Sequence, residues 1–368
     1  MAVSGVDVLH VLWSGRIGGI ERQVATMLRH AAGRGGLRHG ACLLDGTGVV
    51  GDALVAEGRA MRLGMRAGWD PEGLARLALL ARRLRPRVVH LHTHAVAAHV
   101  VLGAALPRAL TVYTEHSPRV LTRDGKFRAL YRLLRTRNAR LVALSPAMAA
   151  AMIAKGASPG AITIVPNAVD VPLAPESANG RPAHGTVGVV ARLAPQKRVD
   201  LLLDVVHRLR RGGTPCRGLV VGGGALAGDL ARRRAALGLD DAVDLAGEQD
   251  DVVPWLDRMD VFLMTSAFEP FGIAALEAMA RGVPVVAMPC PGGLGELAAG
   301  GGRLLPDRSV ETAAGAVAQL LASPGERSTA RARGRVVVGL HGPGPVLARL
   351  EAVYSAGGLT TPAIRRGA

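Results

Sequence analysis

Glu269 and Glu277, eight residues apart, are the side chains of this sequence with the clearest chemical use. The stretch around them reads as a strand (Val261–Met264), a loop carrying Glu269, a helix opening at Gly272 and ending at Gly282, and a second strand over Val283–Ala287. Glu269 stands just ahead of the helix. Glu277 lies more than one turn inside it among Ala, Leu and Met, where an unpaired carboxylate is costly. The free N–H groups and positive dipole end at Gly272 and Ile273 suit an anion. A phosphate flanked by two hydroxyl-binding carboxylates fits a nucleotide sugar. Read blandly, Glu269 caps the helix and Glu277 pairs with an arginine, and the two glutamates alone leave both readings open.

Cations come from a second stretch. Thr186–Val190 reads as a strand, and Arg192 and Lys197 follow it, ahead of a helix over Val199–Arg211. Two cations past a strand's end suit a diphosphate, which gains charge as its bond to a sugar breaks. Strand Leu219–Val221 feeds Gly222-Gly223-Gly224, a turn with close backbone access to a ligand. Val243–Gly247 and Glu248–Asp251 read as a further strand and loop. At the other end of the chain, strand Val6–Leu12 passes through Gly18 and Gly19 into a helix from Ile20. Val24, Met27, Leu28 and Ala31 continue its packed face. The glycine spacing is not that of the dinucleotide fingerprint. Thr114, Glu115, His116, Ser117 and Pro118 lie past a strand's carboxyl end, where open α/β sheets place ligands. His90, His92 and His94 alternate along a strand with no acidic or cysteine ligand nearby. They read as solvated or hydrogen-bonded histidines rather than metal ligands.

The wording around these residues resembles glycosyltransferase family 4, enzymes of GT-B fold. Ser266-x-x-Glu269-Pro-Phe271-Gly272 followed by Leu276-Glu277-Ala-Met-Ala-x-Gly282 is similar to the family's E-x7-E signature. Gly18-Gly19-x-Glu21, the Arg192-x-x-x-x-Lys197 element, Pro291–Glu296 and Gly302–Pro306 carry the likeness further, so that it runs from Gly18 to about Pro306. The resemblance implies two Rossmann-like domains facing across a cleft. It implies retaining transfer from a UDP- or GDP-type nucleotide sugar to a glycan, lipid-linked or small-molecule acceptor, in cell-surface polysaccharide or glycolipid synthesis, with no metal or other cofactor. Arg192 and Lys197 would neutralise the departing diphosphate, with Gly18, Gly19, Gly223, Phe271, Gly272 and Ile273 also touching the donor. Glu277 would bind the ribose, Glu269 a hydroxyl of the donor sugar, and His116 would line the sugar pocket. The mechanism implied is front-face, the leaving phosphate itself taking the acceptor's proton. A sugar-nucleotide epimerase of the same fold and a non-enzymatic membrane-binding relative are the rival readings.

The rest of the chain supplies the frame. Strands near Gly40–Leu44, Val88–Leu91, Leu110–Thr114 and Leu141–Leu144 alternate with helices near Pro71–Leu84, Ala95–Ala105, Phe127–Arg137 and Pro146–Lys155, the pattern of a parallel sheet covered on both faces. With 368 residues, two domains are expected. The resemblance implies an acceptor domain over 1–172, a donor domain over 183–345, and a helix over 346–357 packing back on the first. Pro172–Pro182 reads as a linker and Leu359–Ala368 as a loose tail.

The net charge is +16, and residues 1–180 hold 23 Lys/Arg against 11 Asp/Glu while the remainder holds 22 against 18. Within that basic half, Lys126–Arg140 reads as an amphipathic helix whose cations suit an anionic membrane surface and a lipid-linked acceptor. No nucleic-acid-binding motif accompanies the charge. Three scattered cysteines point to a reducing compartment. With neither a secretory leader pattern nor a membrane-spanning run, the expected place is the cytoplasm, peripheral on the inner face of the plasma membrane.

Overall fold

The structure, a computed structural model, describes residues 5–16, 18–32, 36–46, 48–117, 126–175 and 185–358. Pro118, most of the expected linker and the expected tail lie outside the described residues. The chain divides into two compact units, one made of residues up to Ala168 with Pro343–Ala368, the other of Val169–Gly342.

The first unit alternates strands and helices in the order β1 (Val8–Leu12), α1 (Gly19–Ala32), β2 (His39–Leu43), α2 (Val49–Ala56), β3 (Ala60–Arg62), α3 (Pro71–Leu84), β4 (Val88–Leu91), α4 (Val96–Ala105), β5 (Leu110–Glu115), α5 (Lys126–Thr136), β6 (Arg140–Ala143), α6 (Pro146–Ala154) and β7 (Ile162–Ile164). The strands form one parallel sheet in the order β3-β2-β1-β4-β5-β6-β7. Runs such as Val8–Leu12 and Val88–Leu91 are buried throughout, as a sheet covered on both faces requires. Leu77 and Ala81 of α3, Leu102 of α4, Leu130 and Leu134 of α5 and Met148 of α6 pack one face. Val24 and Leu28 of α1 lie against Ala41 and Leu43 on the other.

The second unit runs β8 (Thr186–Val190), α7 (Asp200–Arg211), β9 (Arg217–Val221), α8 (Ala227–Ala236), β10 (Val243–Gly247), α9 (Val253–Leu256), β11 (Val261–Met264), α10 (Ile273–Ala280), β12 (Val285–Ala287), α11 (Leu294–Gly301), β13 (Arg303–Leu304), α12 (Val310–Ala322) and α13 (Pro324–Leu340). Its parallel sheet has the order β10-β9-β8-β11-β12-β13. The last helix, α14 (Pro343–Ala356), returns to the first unit. There Leu347, Leu350 and Tyr354 pack with Val8, Val88 and Val112 of the sheet.

Sequence periodicity missed several short elements. In α2 and β3 the run Val49–Arg62 holds Gly51 and Gly58 and too few turns to show a period. The basic helix expected over Lys126–Arg140 ends instead at Thr136. Asn138 adopts a left-handed φ of 49°, which breaks the helix, and Arg140 already belongs to β6. Arg137 and Arg140 are therefore not on the helix, and Arg140 donates to the Ala356 carbonyl at 3.0 Å.

Candidate functional site

In the second unit the loops that follow β8, β9, β11 and β12 leave the carboxyl edge of one parallel sheet, so their residues collect at one end of it. The loop after β8 carries Arg192 and Lys197, and the loop after β11 carries Thr265 to Gly272. The two are laced together: the Ala267 N–H donates to the Gln196 carbonyl at 2.7 Å, and Thr265 Oγ1 donates to the Lys197 carbonyl at 2.9 Å. Lys197 Nζ meets Glu269 Oε2 at 2.5 Å, and Ser266 Oγ donates to the same oxygen at 3.1 Å. Arg192 is exposed and, among the described residues, its guanidinium makes no hydrogen bond or ion pair.

Glu269 is fixed by its backbone as well. Its N–H donates to Pro291 and its carbonyl accepts from Gly293, both at 3.0 Å, a one-residue parallel bridge to Gly292. Gly292 has φ 118° and lies so near the Glu269 carbonyl that a Cβ there would overlap it. Past Glu269, Gly272 (φ 102°) stands at the N-cap of α10 without any side-chain cap, which leaves the first-turn N–H groups pointing outward beside Ile273. Phe271 is buried against His341. Glu277 is half-buried on α10, not enclosed as its apolar neighbours in sequence suggest. After β9, Gly222 has φ 140°, and Gly223 lies against Glu248.

Sequence reasoning overlooked Arg308, which follows β13. Its guanidinium donates to the carbonyls of Thr265 and Ser266 at 2.8 Å each and of Pro289 at 2.9 Å, joining the loops after β11 and β12. The only sequence sign is its place directly beyond the last recognisable wording. Cys290 sits beside this clamp, its thiol pushed up to about 11 by burial and by the Glu269 charge, so it is neutral at physiological pH.

The remaining predicted residues belong to the first unit. Gly18 and Gly19 open α1, where Glu21 accepts from Ser14 Oγ at 3.2 Å and burial raises the carboxyl's pKa. His116, half-buried just past β5, has its Nε2 3.0 Å from His92 Nδ1, and burial lowers its pKa to about 3. Glu115, one residue earlier, is fully buried and accepts from Tyr113, Tyr131 and the Ser117 N–H. All those bonds are internal, so its place is structural. Desolvation is the largest influence on it and lifts its pKa to about 7. His90 and His92 are buried rather than solvated, whereas His94 is exposed.

The sequence profile described as Glycosyltransferase Family 4 matches residues 17–172, and that described as Glycosyl transferases group 1 matches residues 184–323. Between them they take in both units. The chain belongs to the family 4 (group 1) glycosyltransferases of GT-B fold. Among curated relatives, this glycosyltransferase is 38% identical over 129 residues to the lipopolysaccharide core biosynthesis mannosyltransferase LpsB of Rhizobium meliloti, covering 33% of this chain and 35% of that protein. It is 32% identical over 215 residues to the 2-deoxystreptamine glucosyltransferase of Streptomyces kanamyceticus, covering 54% and 50%. The matches thus span a third and a half of those relatives' lengths. The Anabaena protein Alr3699/HepE, solved with UDP and glucose, superposes with a TM-score of 0.82 at 20% identity, over 95% of this chain and all of that one.

Proposed function

We propose that this glycosyltransferase moves a hexose from a nucleoside-diphosphate sugar to a glycan or lipid-linked acceptor with retention of configuration, in cell-surface polysaccharide or glycolipid synthesis. The observation that carries the reading is the Lys197–Glu269 pair at 2.5 Å, set among Arg192, the uncapped start of α10 and the Gly222–Gly224 turn. A cation, free N–H groups and a sugar-binding carboxylate are the components a diphosphate-linked sugar needs. In this reading Lys197, Arg192 and the N–H groups from Gly272 and Ile273 hold the diphosphate. Glu269 takes a sugar hydroxyl and Glu277 the ribose.

In the step itself the bond from the sugar's anomeric carbon to the phosphate oxygen breaks and the bond to the acceptor oxygen forms on the same face. The acceptor's proton passes to the leaving phosphate. Glu269, already engaged by Lys197 and Ser266, suits a binding role better than that of a nucleophile. His116 in the first unit is proposed as a hydrogen-bond partner of the sugar ligand. Support for UDP as the nucleotide comes from the Anabaena relative, solved with UDP and with UDP-glucose.

Exposed Arg128, Arg132 and Arg135 stand on α5, opposite its buried Phe127, Leu130, Tyr131 and Leu134. This face is proposed to dock on an anionic bilayer carrying the acceptor. Among the described residues no helix is long and apolar enough to cross a membrane.

A thermal-stability screen with UDP, GDP, ADP and dTDP and their hexose conjugates tests the donor assignment, because a ligand of the native state raises stability with its occupancy. One nucleotide series should stabilise selectively, and incubation with its sugar and an acceptor should yield a glycosylated product. Free sugar of inverted configuration with no acceptor product would select the epimerase instead.

A further inference from the structure

Four histidines cross four neighbouring strands of the first unit in a single hydrogen-bonded line. His39 opens β2, His10 lies within β1, His92 follows β4 and His116 follows β5, and these strands are consecutive in the sheet. His39 Nδ1 is 3.0 Å from His10 Nε2, His10 Nδ1 is 3.0 Å from His92 Nε2, and His92 Nδ1 is 3.0 Å from His116 Nε2. Every junction joins one Nδ1 to one Nε2. The line starts near the amino edge of the sheet and ends at its carboxyl edge.

A metal ion is the first alternative, since ring nitrogens of His10, His90 and His92 all lie within 4.8 Å of one another. All six nitrogens of those rings are already used, however. His90 is held by Thr114 Oγ1 at 2.7 Å and by the Tyr354 hydroxyl at 2.8 Å, and both nitrogens of His10 and His92 lie in the chain. An ion would have to break that pattern to gain its ligands.

A neutral imidazole has one N–H and one lone pair. Burial keeps these rings neutral, pulling His10 and His92 well below their ordinary pKa and His39 to about 4. When every junction is Nδ1 to Nε2, neutral rings must all carry the proton on the same kind of nitrogen. Otherwise one junction would face proton to proton or lone pair to lone pair. The buried end decides which. His39 Nε2 is buried and has no partner among the described residues. An orphaned buried N–H is rarer than an under-satisfied buried acceptor, so the lone pair falls at that nitrogen. His39 then donates through Nδ1 to His10, His10 to His92, and His92 to His116. His116 is left with its proton on Nδ1, which has no partner among the described residues.

We propose that His39, His10 and His92 are positioning residues whose aligned hydrogen bonds hold His116 as the Nδ1–H tautomer, making it a hydrogen-bond donor to an oxygen of the sugar ligand. This rests on His116 being a sugar contact, but the tautomer itself is readable without any ligand.

Nitrogen-15 NMR of the full-length chain labelled at histidine reports which ring nitrogen of His116 carries the proton. The expected result is a single Nδ1–H form. The variant His10→Phe keeps a ring but removes both nitrogens at the middle of the chain. It should leave His116 as a mixture of tautomers and weaken UDP-glucose binding about three- to tenfold, the worth of one neutral hydrogen bond. UDP binding should stay unchanged. A wild-type His116 in the Nε2–H form or in a mixture overturns the proposal, with no need for the variant to fold. So does one equivalent of zinc that persists through gel filtration and is lost in His90→Gln. If the Nδ1–H form is found but UDP-glucose affinity is the same in both proteins, the chain fixes a tautomer that the sugar does not use, and the positioning role falls.

Discussion

Lys197 Nζ and Glu269 Oε2 stand 2.5 Å apart, although 72 residues separate them in the chain. The pair joins the loop after β8 to the loop after β11, and both side chains are largely shielded, with 22% and 10% of their surface exposed. A diphosphate arriving there would share the ammonium, leaving the carboxylate free to turn toward a sugar hydroxyl.

Lys197 and Arg192 should therefore separate in stability while agreeing in activity. Lys197→Ala leaves Glu269 with Ser266 alone and should lower the melting temperature measurably. Arg192→Ala removes an exposed cation that has no side-chain partner among the described residues and should leave stability within about 0.5 kcal/mol of wild type. Each should reduce turnover by roughly 10²-fold, as when a charge-stabilising donor is lost. Steady-state rates beside calorimetric melts decide this, and near-normal turnover in both folded variants would remove the phosphate assignment.

Glu269→Gln and Glu277→Gln should differ in what they bind. Glu277 is assigned to the ribose, so its variant should lose affinity for free UDP. Glu269 is assigned to the sugar, so its variant should bind UDP almost normally and fail in transfer. Titration calorimetry of both with UDP reads the difference, and equal losses would mean the two roles are misassigned.

Much of this site was legible because its loops carry contiguous wording: Ser266 to Gly272, Arg192 to Lys197. Strands such as Val261–Met264 were equally plain, their apolar runs being bounded by polar turns. What could not be read were contacts made across the sheet. Nothing local to His10 announces that it meets both His39 and His92, since only the β2-β1-β4 order places the three side by side. Arg308 was invisible for a similar reason, because its partners are backbone carbonyls 19 to 43 residues away, and backbone groups leave no mark on sequence.

Arg308 offers its own test. Arg308→Ala strands three carbonyls that it now satisfies and should cost about 2–4 kcal/mol. For a unit of this size that lowers the melting temperature by roughly 5–15 °C. Arg308→Lys, with fewer and differently directed donors, should recover only part of the loss. Melting with and without UDP shows whether the loops it clamps also serve the nucleotide. An unchanged melting temperature in the alanine variant would mean that water replaces the guanidinium without cost.

The face of α5 predicts salt-sensitive membrane binding. Arg128, Arg132 and Arg135 follow one another at helical spacing, and replacing all three by Ser should weaken partition onto anionic vesicles on the order of 10²-fold at low salt. Binding to neutral vesicles should be weak throughout. Co-sedimentation at two salt concentrations measures both, and undiminished binding of the triple variant to anionic vesicles would point to another docking face or a soluble acceptor.

The first unit should be sensitive to mild acid, and the direction follows from which groups burial neutralises. His10, His90 and His92 are pulled well below their ordinary pKa, His39 and His99 to about 4, and His116 to about 3, desolvation being the largest cause for each. In the unfolded chain these rings take up protons near pH 6.5. Their contribution to stability is therefore complete above that value and is lost as pH falls below it toward the folded values. Glu115 acts in the opposite sense. Its pKa of about 7 lies above the unfolded value of 4.5, so its contribution is complete below 4.5 and is lost as pH rises from there to 7. Over the shared window one carboxyl offsets about one histidine, at about 1.4 kcal/mol per pH unit for each group, and the other rings remain uncompensated. A domain stabilised by about 5–15 kcal/mol is sensitive to several such losses, so the first unit should lose stability steeply as pH falls below about 6.5. Calorimetric melts from pH 8 to pH 5 should show one transition moving steeply downward. The change His99→Leu, which removes a buried ring outside the four-histidine line, should make that slope shallower by about one proton. A transition whose midpoint stays constant from pH 8 to pH 5 would show that these histidines are not held neutral by the fold.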